Sequence, residues 1–431
     1  MPLLTITRAL VPALRRGRGA FFVRSAVLLA ALLPVLGLAA CAGPVPVNQP
    51  MAVSFLPAPG QFLTDGGDPL APEAFRQRAA GADYILVGES HGNPCDHEAE
   101  ARVITILAHA ALGSGPQVVV GLEMAPATLN PVLAEFSAGG FPPEDLEKRL
   151  DWKTNWGHPF AKYLPVFRAV RDWKLPVYGL NVPPGVIRRL SAAALANATA
   201  ADPVASLPPE DRALLPARII PPAPEQLDFL HEVMGSHPGK AKGRKGESAV
   251  DPRREARFLL IQSVWDSAMA EQAVRARKAT GRPVVVLAGS AHVEGGLGIA
   301  RRIAAFDPGA KVLLVSPWRG GEFDKADAQV RVYCPESFES RMGMTLETRP
   351  FGEGFEVVVT NVRRGSIAEG AGLRPGDLVT RAGGYRMRSL TTLHLAGSDA
   401  FRERKNLVLV IRRGEDSYVV DLGPLGKQKG K

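Results

Sequence analysis

The spacing of apolar and polar positions divides the chain into two patterns. Between about residues 70 and 335, apolar runs of strand length recur: Tyr84–Val87, Gln117–Leu122, Pro176–Leu180, Pro283–Ala288 and Lys311–Val315. Near-continuous apolar runs separated by helical patterns predict a largely parallel sheet with helices on both faces, an α/β fold. Ser191–Asp251 interrupts this with Ala/Pro-rich sequence and the stretch GKAKGRKGES, and reads as a mobile surface excursion. From 338 to 424 the pieces shorten to Phe355–Thr360, Asp377–Thr380, Leu407–Arg412 and Ser417–Asp421, which predicts a small second, β-rich domain. Residues 41–69 are rich in Pro and Gly without periodicity and predict a flexible tether.

At 431 residues the chain is long enough for two domains, each with its own core. The formal net charge of +9 overstates its basicity, because Arg8, Arg15, Arg16, Arg18 and Arg24 precede any acid. The rest carries only about +4, part of it in a basic tail over 425–431, so the charge does not predict nucleic-acid binding. The basic start runs into the apolar stretch Ala26–Leu36 and ends LGLAAC at Cys41. That order resembles a bacterial lipobox: residues 1–40 would be removed and Cys41 acylated. The expected mature protein faces the periplasm, in the outer membrane, and touches membrane only through the lipid. Cys95 and Cys334 are the other two of the three cysteines. An oxidising compartment allows them to pair, and the sequence leaves that open.

The residues after each predicted strand carry the chemistry. Glu89 and His91 follow the first run, Glu123 the second, Asn181 the third and His292 the fourth. In a parallel sheet these positions share the carboxyl edge, where open α/β folds bind ligands. His91 and His292 with Glu89 and Glu123 could hold a divalent metal, or Glu89 or His91 could act as a general base. No phosphate loop of the type G-x-x-x-x-G-K occurs. After the first turn, Asn93 and Pro94 predict a helix start, with Asp96 heading the apolar stripe Ala99, Val103, Ile106, Ala110 and His97 off it. Trp152, Trp156, Phe160, Tyr163 and Phe167 form either a core stripe or a wall for a large flat ligand, with Tyr163 or His158 available to iron.

Two resemblances order these pieces. VVVTNVRRGSIAEGAGLRPGDLVTRAGGYRMRSL resembles the centre of a bacterial PDZ domain, which implies a groove for a peptide C-terminus and a carboxylate-binding loop at Met342, Gly343 and Met344. Over about residues 70–320, GESHGNPCDH, GLEMAP, NWGHPFAKYLPV, VYGLNVP, WDSAMAE and VVVLAGSAHVEGGLGI resemble, in that order, the ChaN-like haem-binding lipoproteins of the Tiki/TraB/erythromycin-esterase superfamily. The chain departs from that pattern where Asp96-His97 replaces His-His. The resemblance implies haem binding linked to iron uptake, haem at a homodimer contact, and a haem site among His91, His97, Trp156, Tyr163, Asn181 and His292, with Tyr163 the first choice of iron ligand. Two other readings stay open. One is a Tiki-type hydrolase with catalytic Glu89, His91, Glu123 and His292 on Mn, Zn or Co; the other is a non-catalytic envelope scaffold.

Overall fold

Seven strands build the sheet of the first unit, Met51–Phe338. They are β1 (Gln61–Thr64), β2 (Tyr84–Glu89), β3 (Val119–Pro126), β4 (Val177–Asn181), β5 (Val284–Gly289), β6 (Val312–Trp318) and β7 (Val330–Tyr333). The computed structural model describes residues 52–110, 118–196, 202–236, 251–322, 328–351 and 354–425. The expected signal peptide, Cys41, GKAKGRKGES and the basic tail from 426 lie outside the described residues. No helix among the described residues is long and apolar enough to cross a membrane.

The strand order is β1-β7-β6-β2-β5-β3-β4. Every pairing is parallel except that of the edge strand β1 with β7. Successive residues of β2 go to opposite faces, as the period of a strand requires. Ile85 and Val87 join a cluster with helices Pro72–Ala79, Pro94–Ala110 and Leu164–Asp172; Tyr84 and Leu86 join one with helices Pro252–Thr280 and Ile299–Phe306. Both faces of the sheet are therefore covered, and all six residues of β2 are buried. The α/β expectation holds, with strands that run one to four residues past each predicted apolar run.

Two expectations need correction. The stretch expected to be a tether contributes β1, whose Phe62 and Leu63 are buried; Phe62 stacks on Phe75 at 4.8 Å. The expected excursion is also packed where it is described: Leu207 and Leu230 are buried, and Gln226, on helix Pro224–Ser236, is 1% exposed. Apolar residues spaced too widely for a clear period still found a surface to cover. Cys95 and Cys334 are bonded, with Cα atoms 5.6 Å apart, and tie the start of helix Pro94–Ala110 to the end of β7.

The second unit begins at Glu339. Its sheet runs β14 (Asp416–Pro424), β13 (Asn406–Arg413), β11 (Leu378–Ala382), β10 (Gly354–Val362), β9 (Met344–Phe351), β8 (Ser337–Glu339), with β12 (Tyr385–Arg386) on β11. Gly372 and Gly376 take φ values of +85° and +92°, which lets the chain turn tightly on either side of buried Leu373. Asp377 then receives the Arg413 guanidinium at 2.6 and 2.7 Å. The loop expected to hold a peptide carboxylate is closed on itself. Met342 N–H donates to Ser340 Oγ and Gly343 N–H to Ser340 O, while Met342 and Met344 are core side chains. Backbone N–H groups already satisfied inside the loop are not free for a ligand.

Candidate functional site

The carboxyl ends of β2, β3, β4 and β5 surround a cavity of about 720 Å³. Its lining includes Glu89, Ser90, His91, Glu123, Asn181, Gly289, Ser290 and His292, together with Trp156, His158, Arg188 and Trp265 from the covering segments. The strand ends selected from sequence thus share one rim. They do not converge on one point, however, but divide into two groups.

The first group centres on Glu89, which is 2% exposed. Its Oε1 accepts from His91 Nδ1 at 2.7 Å and from the Tyr163 hydroxyl at 3.1 Å, and its Oε2 faces His97 Nδ1 at 2.7 Å. Burial works to raise this carboxyl, but His91 and His97 hold it down at about 2. Burial likewise works to lower His91, and Glu89 and Glu123 outweigh it, leaving the imidazole above its usual value. The His91 ring meets Trp156 edge-on with centroids 4.7 Å apart and lies 5.0 Å from His158. Gly289 makes this possible: a Cβ there would sit 2.9 Å from His91 Cε1.

Behind Glu89 the structure is closed. His97 is fully buried, and Glu89 and Glu100 together raise it to about 10 despite burial. Glu100, one helical turn further on, is also fully buried; burial and the Glu89 charge raise it to about 8. Tyr163 is 1% exposed, donates to Glu89, and accepts from Trp156 Nε1 at 2.9 Å. Burial and the neighbouring Glu89 push its phenol far above its usual value. This hydroxyl, the first choice of iron ligand from sequence, is therefore engaged behind the wall and does not line the cavity. The aromatic segment answers to both of its readings: Trp152, Phe160, Tyr163 and Phe167 are core, and Trp156 reaches the cavity.

The second group centres on His292. Its Nδ1 lies 2.6 Å from Asp266 Oδ1 and its Nε2 faces Glu123 Oε1 at 3.5 Å. Against burial, Glu123 and Asp266 raise it to about 9. Glu123 Oε2 accepts from Gly289 N–H at 2.6 Å, and its main-chain oxygen accepts from Asn181 Nδ2 at 3.2 Å. Glu89, His91, Glu123 and His292, the metal set expected from sequence, are not gathered within 4.8 Å of one another. Among the described residues, the ligand atoms that lie together within 4.8 Å belong to Glu89, His97 and Glu100.

Asp96 turned out to hold the turn in place. Its carboxylate accepts from Ser90 N–H at 2.8 Å and from Arg319 Nη1 at 2.7 Å. Sequence reading missed Asp266, Glu100, Gln226 and Arg302. Gln226 donates to Asp266 Oδ2 at 3.0 Å and accepts from buried Arg302 at 2.6 Å. The signal for Asp266 was an acid within an Ala/Met-rich stretch of a helix, WDSAMAE.

A family model described as haem-binding uptake, Tiki superfamily, ChaN matches residues 75–303, more than half of the chain. Among solved structures, one of cofacial heme binding to ChaN of Campylobacter jejuni is 19% identical with a TM-score of 0.49, covering 63% of this chain and 96% of that one. The type III effector HopBA1 is 11% identical with a TM-score of 0.32, covering 61% and 92%. An HtrA3 PDZ domain bound to a phage-derived ligand is 20% identical with a TM-score of 0.17, covering 21% and 86%. All three are too distant to carry a functional argument. No curated protein matches the chain. Over the span that the family model matches, with the carboxyl-edge site inside it, the chain belongs to the ChaN family of haem-binding uptake proteins in the Tiki superfamily.

Proposed function

We propose that the cavity at the carboxyl edge binds haem and that the His91 imidazole is the protein's ligand to the iron. The observation that carries this reading is the state of the ring. Nδ1 is taken by Glu89, which fixes the tautomer, and Nε2 has no hydrogen-bond partner among the described residues. The His91 side chain is 32% exposed, and it lines the cavity. An imidazole held by a carboxylate behind it and open at Nε2 is the donor that haem iron takes from histidine. Bound haem would supply an iron centre; the chain's part is to fix the ring, keep the wall apolar through Trp156 and Trp265, and offer a cation. Arg188 lines the cavity and is exposed, with no acidic partner among the described residues; it suits a haem carboxylate.

The same proposal extends to setting. A basic start, an apolar run and LGLAAC support a lipid anchor on Cys41 and a place on the periplasmic face of the envelope, in the outer membrane. The family's uptake role supports a link to iron supply. The glycine cadence from Gly365 to Gly384 supports a PDZ-type second unit that adds an extended peptide to its sheet, although not through the Met342–Met344 loop. A homodimer sharing haem is part of the reading, and sedentation with and without haem tests it by mass.

Titration of haem into the purified chain, followed by absorption, tests the core of the proposal. A Soret band saturating near stoichiometry, lost in His91→Ala and kept in Tyr163→Phe, is expected. No band at stoichiometric haem, or a band that only Tyr163→Phe removes, overturns it.

A further inference from the structure

Directly behind His91 lies a second cluster that haem would not reach. Glu89 comes from the end of β2, and His97 and Glu100 from the first turns of the following helix, three residues apart and so on one face. All three are buried, at 2%, 0% and 0% exposure, and their ligand atoms lie within 4.8 Å of one another.

The cluster is short of donors. His97 Nδ1 lies 2.7 Å from Glu89 Oε2 and 3.1 Å from Glu100 Oε2, yet a ring nitrogen carries at most one hydrogen. Glu100 Oε1 and Glu89 Oε2 are both buried without a hydrogen-bond partner. An oxygen left in that state is costly, and native interiors avoid it. The other side of the ring already has an acceptor, because His97 Nε2 lies 3.4 Å from the His91 main-chain oxygen. An entering cation would displace the Nδ1 hydrogen of His97, leaving Nε2–H on the backbone carbonyl and the Nδ1 lone pair turned toward two carboxylates, the arrangement of a metal ligand.

We propose that Glu89, His97 and Glu100 form a divalent-cation site, behind the cavity proposed for haem and sharing only Glu89 with it. Two carboxylate oxygens and one imidazole nitrogen suit a first-row cation such as Mn²⁺ or Zn²⁺. Bonds of about 2.1 Å around a tetrahedral ion place ligand atoms roughly 3.4 Å apart. The shortest pair here, 2.7 Å, opens by less than about 1 Å to reach that spacing. The cation would satisfy both orphaned oxygens at once, and Glu89 Oε1 would remain on His91.

The test uses the full chain without haem, so that its failure leaves the haem reading standing. Purified protein is stripped with chelator, offered Mn²⁺ or Zn²⁺ alone, dialysed and assayed for metal content. One equivalent is expected, and the Glu100→Gln and His97→Gln variants should bind more weakly by at least the roughly 10–100-fold that losing a partner behind a ligand costs. His292→Gln, in the other group of the rim, should retain the equivalent. Should the cluster variants fail to fold, the nitrogen coupling in pulsed EPR of the Mn²⁺-loaded wild type reports a single imidazole ligand. Folded wild type that takes up neither ion overturns the proposal, as does an equivalent that survives Glu100→Gln and is lost in His292→Gln. A Mn²⁺ signal without nitrogen coupling overturns it too.

Discussion

Glutamine at position 89 keeps the size of the side chain and removes its charge. The carboxylate it replaces accepts from His91 at 2.7 Å and Tyr163 at 3.1 Å and faces His97 at 2.7 Å. If the amide oxygen takes over the first two contacts, the amide nitrogen points its hydrogens at the His97 ring. That buried imidazolium then keeps only Glu100. Removing one partner of a buried pair costs about 3–5 kcal/mol, and the remaining carboxylate argues for about 3. The haem site should suffer separately, since His91 loses the charged acceptor that orients it; such partners are worth about 10–100-fold in affinity, or roughly 1.4–2.7 kcal/mol. Urea unfolding of the haem-free protein measures the first figure and a Soret titration the second. The acid limb of the stability curve gives a third reading. Glu89 is held at about 2 against an ordinary 4.5, so its contribution is present above 4.5 and lost as pH falls toward 2. Glu89→Gln should lose that acid-dependent term. An unfolding free energy within about 1 kcal/mol of wild type, together with a haem affinity within about twofold, would refute the claim that Glu89 organises this site.

Other predictions follow from single contacts. His292, raised to about 9 from 6.5, stabilises fully below pH 6.5, and that stabilisation is lost as pH rises through 9; in Asp266→Asn the alkaline loss should shrink and begin at lower pH, as thermal melts across that range would show. Gly289→Ala places a Cβ 2.9 Å from His91 Cε1, so haem affinity should fall about tenfold or more while far-ultraviolet circular dichroism is unchanged. Arg319→Ala leaves the buried Asp96 carboxylate with Ser90 alone and should cost about 2–3 kcal/mol in urea unfolding, below the full cost of a buried pair because Arg319 is partly exposed.

The strand ends were legible in the sequence because two local signals coincide there. An apolar run announces a buried strand, and a polar residue straight after it has nowhere to go but the carboxyl edge. That placed Glu89, Glu123, Asn181 and His292 on one rim. Helical residues gave no such signal. The stripe Ala99, Val103, Ile106, Ala110 predicted one buried face; Ala99 and Val103 are buried, but so are His97, Glu100, Ile104 and Leu107, because the helix packs on two neighbours. Glu100 sits between Glu98 and Arg102, where an acid looks like surface, and Asp266 needed knowledge that His292 lies opposite. β1 was hidden by its Pro/Gly-rich surroundings: an edge strand of four residues with one partner needs little periodicity. The Met342–Met344 loop was misplaced for the opposite reason, since a motif matched while its N–H groups had local acceptors that the sequence does not display.

The central claim, that His91 rather than Tyr163 meets the iron, is tested most directly by magnetic circular dichroism of the ferric haem complex. The account predicts a histidine-type spectrum that His91→Ala abolishes and Tyr163→Phe leaves in place. A tyrosinate-type spectrum, unchanged in His91→Ala and lost in Tyr163→Phe, would contradict it.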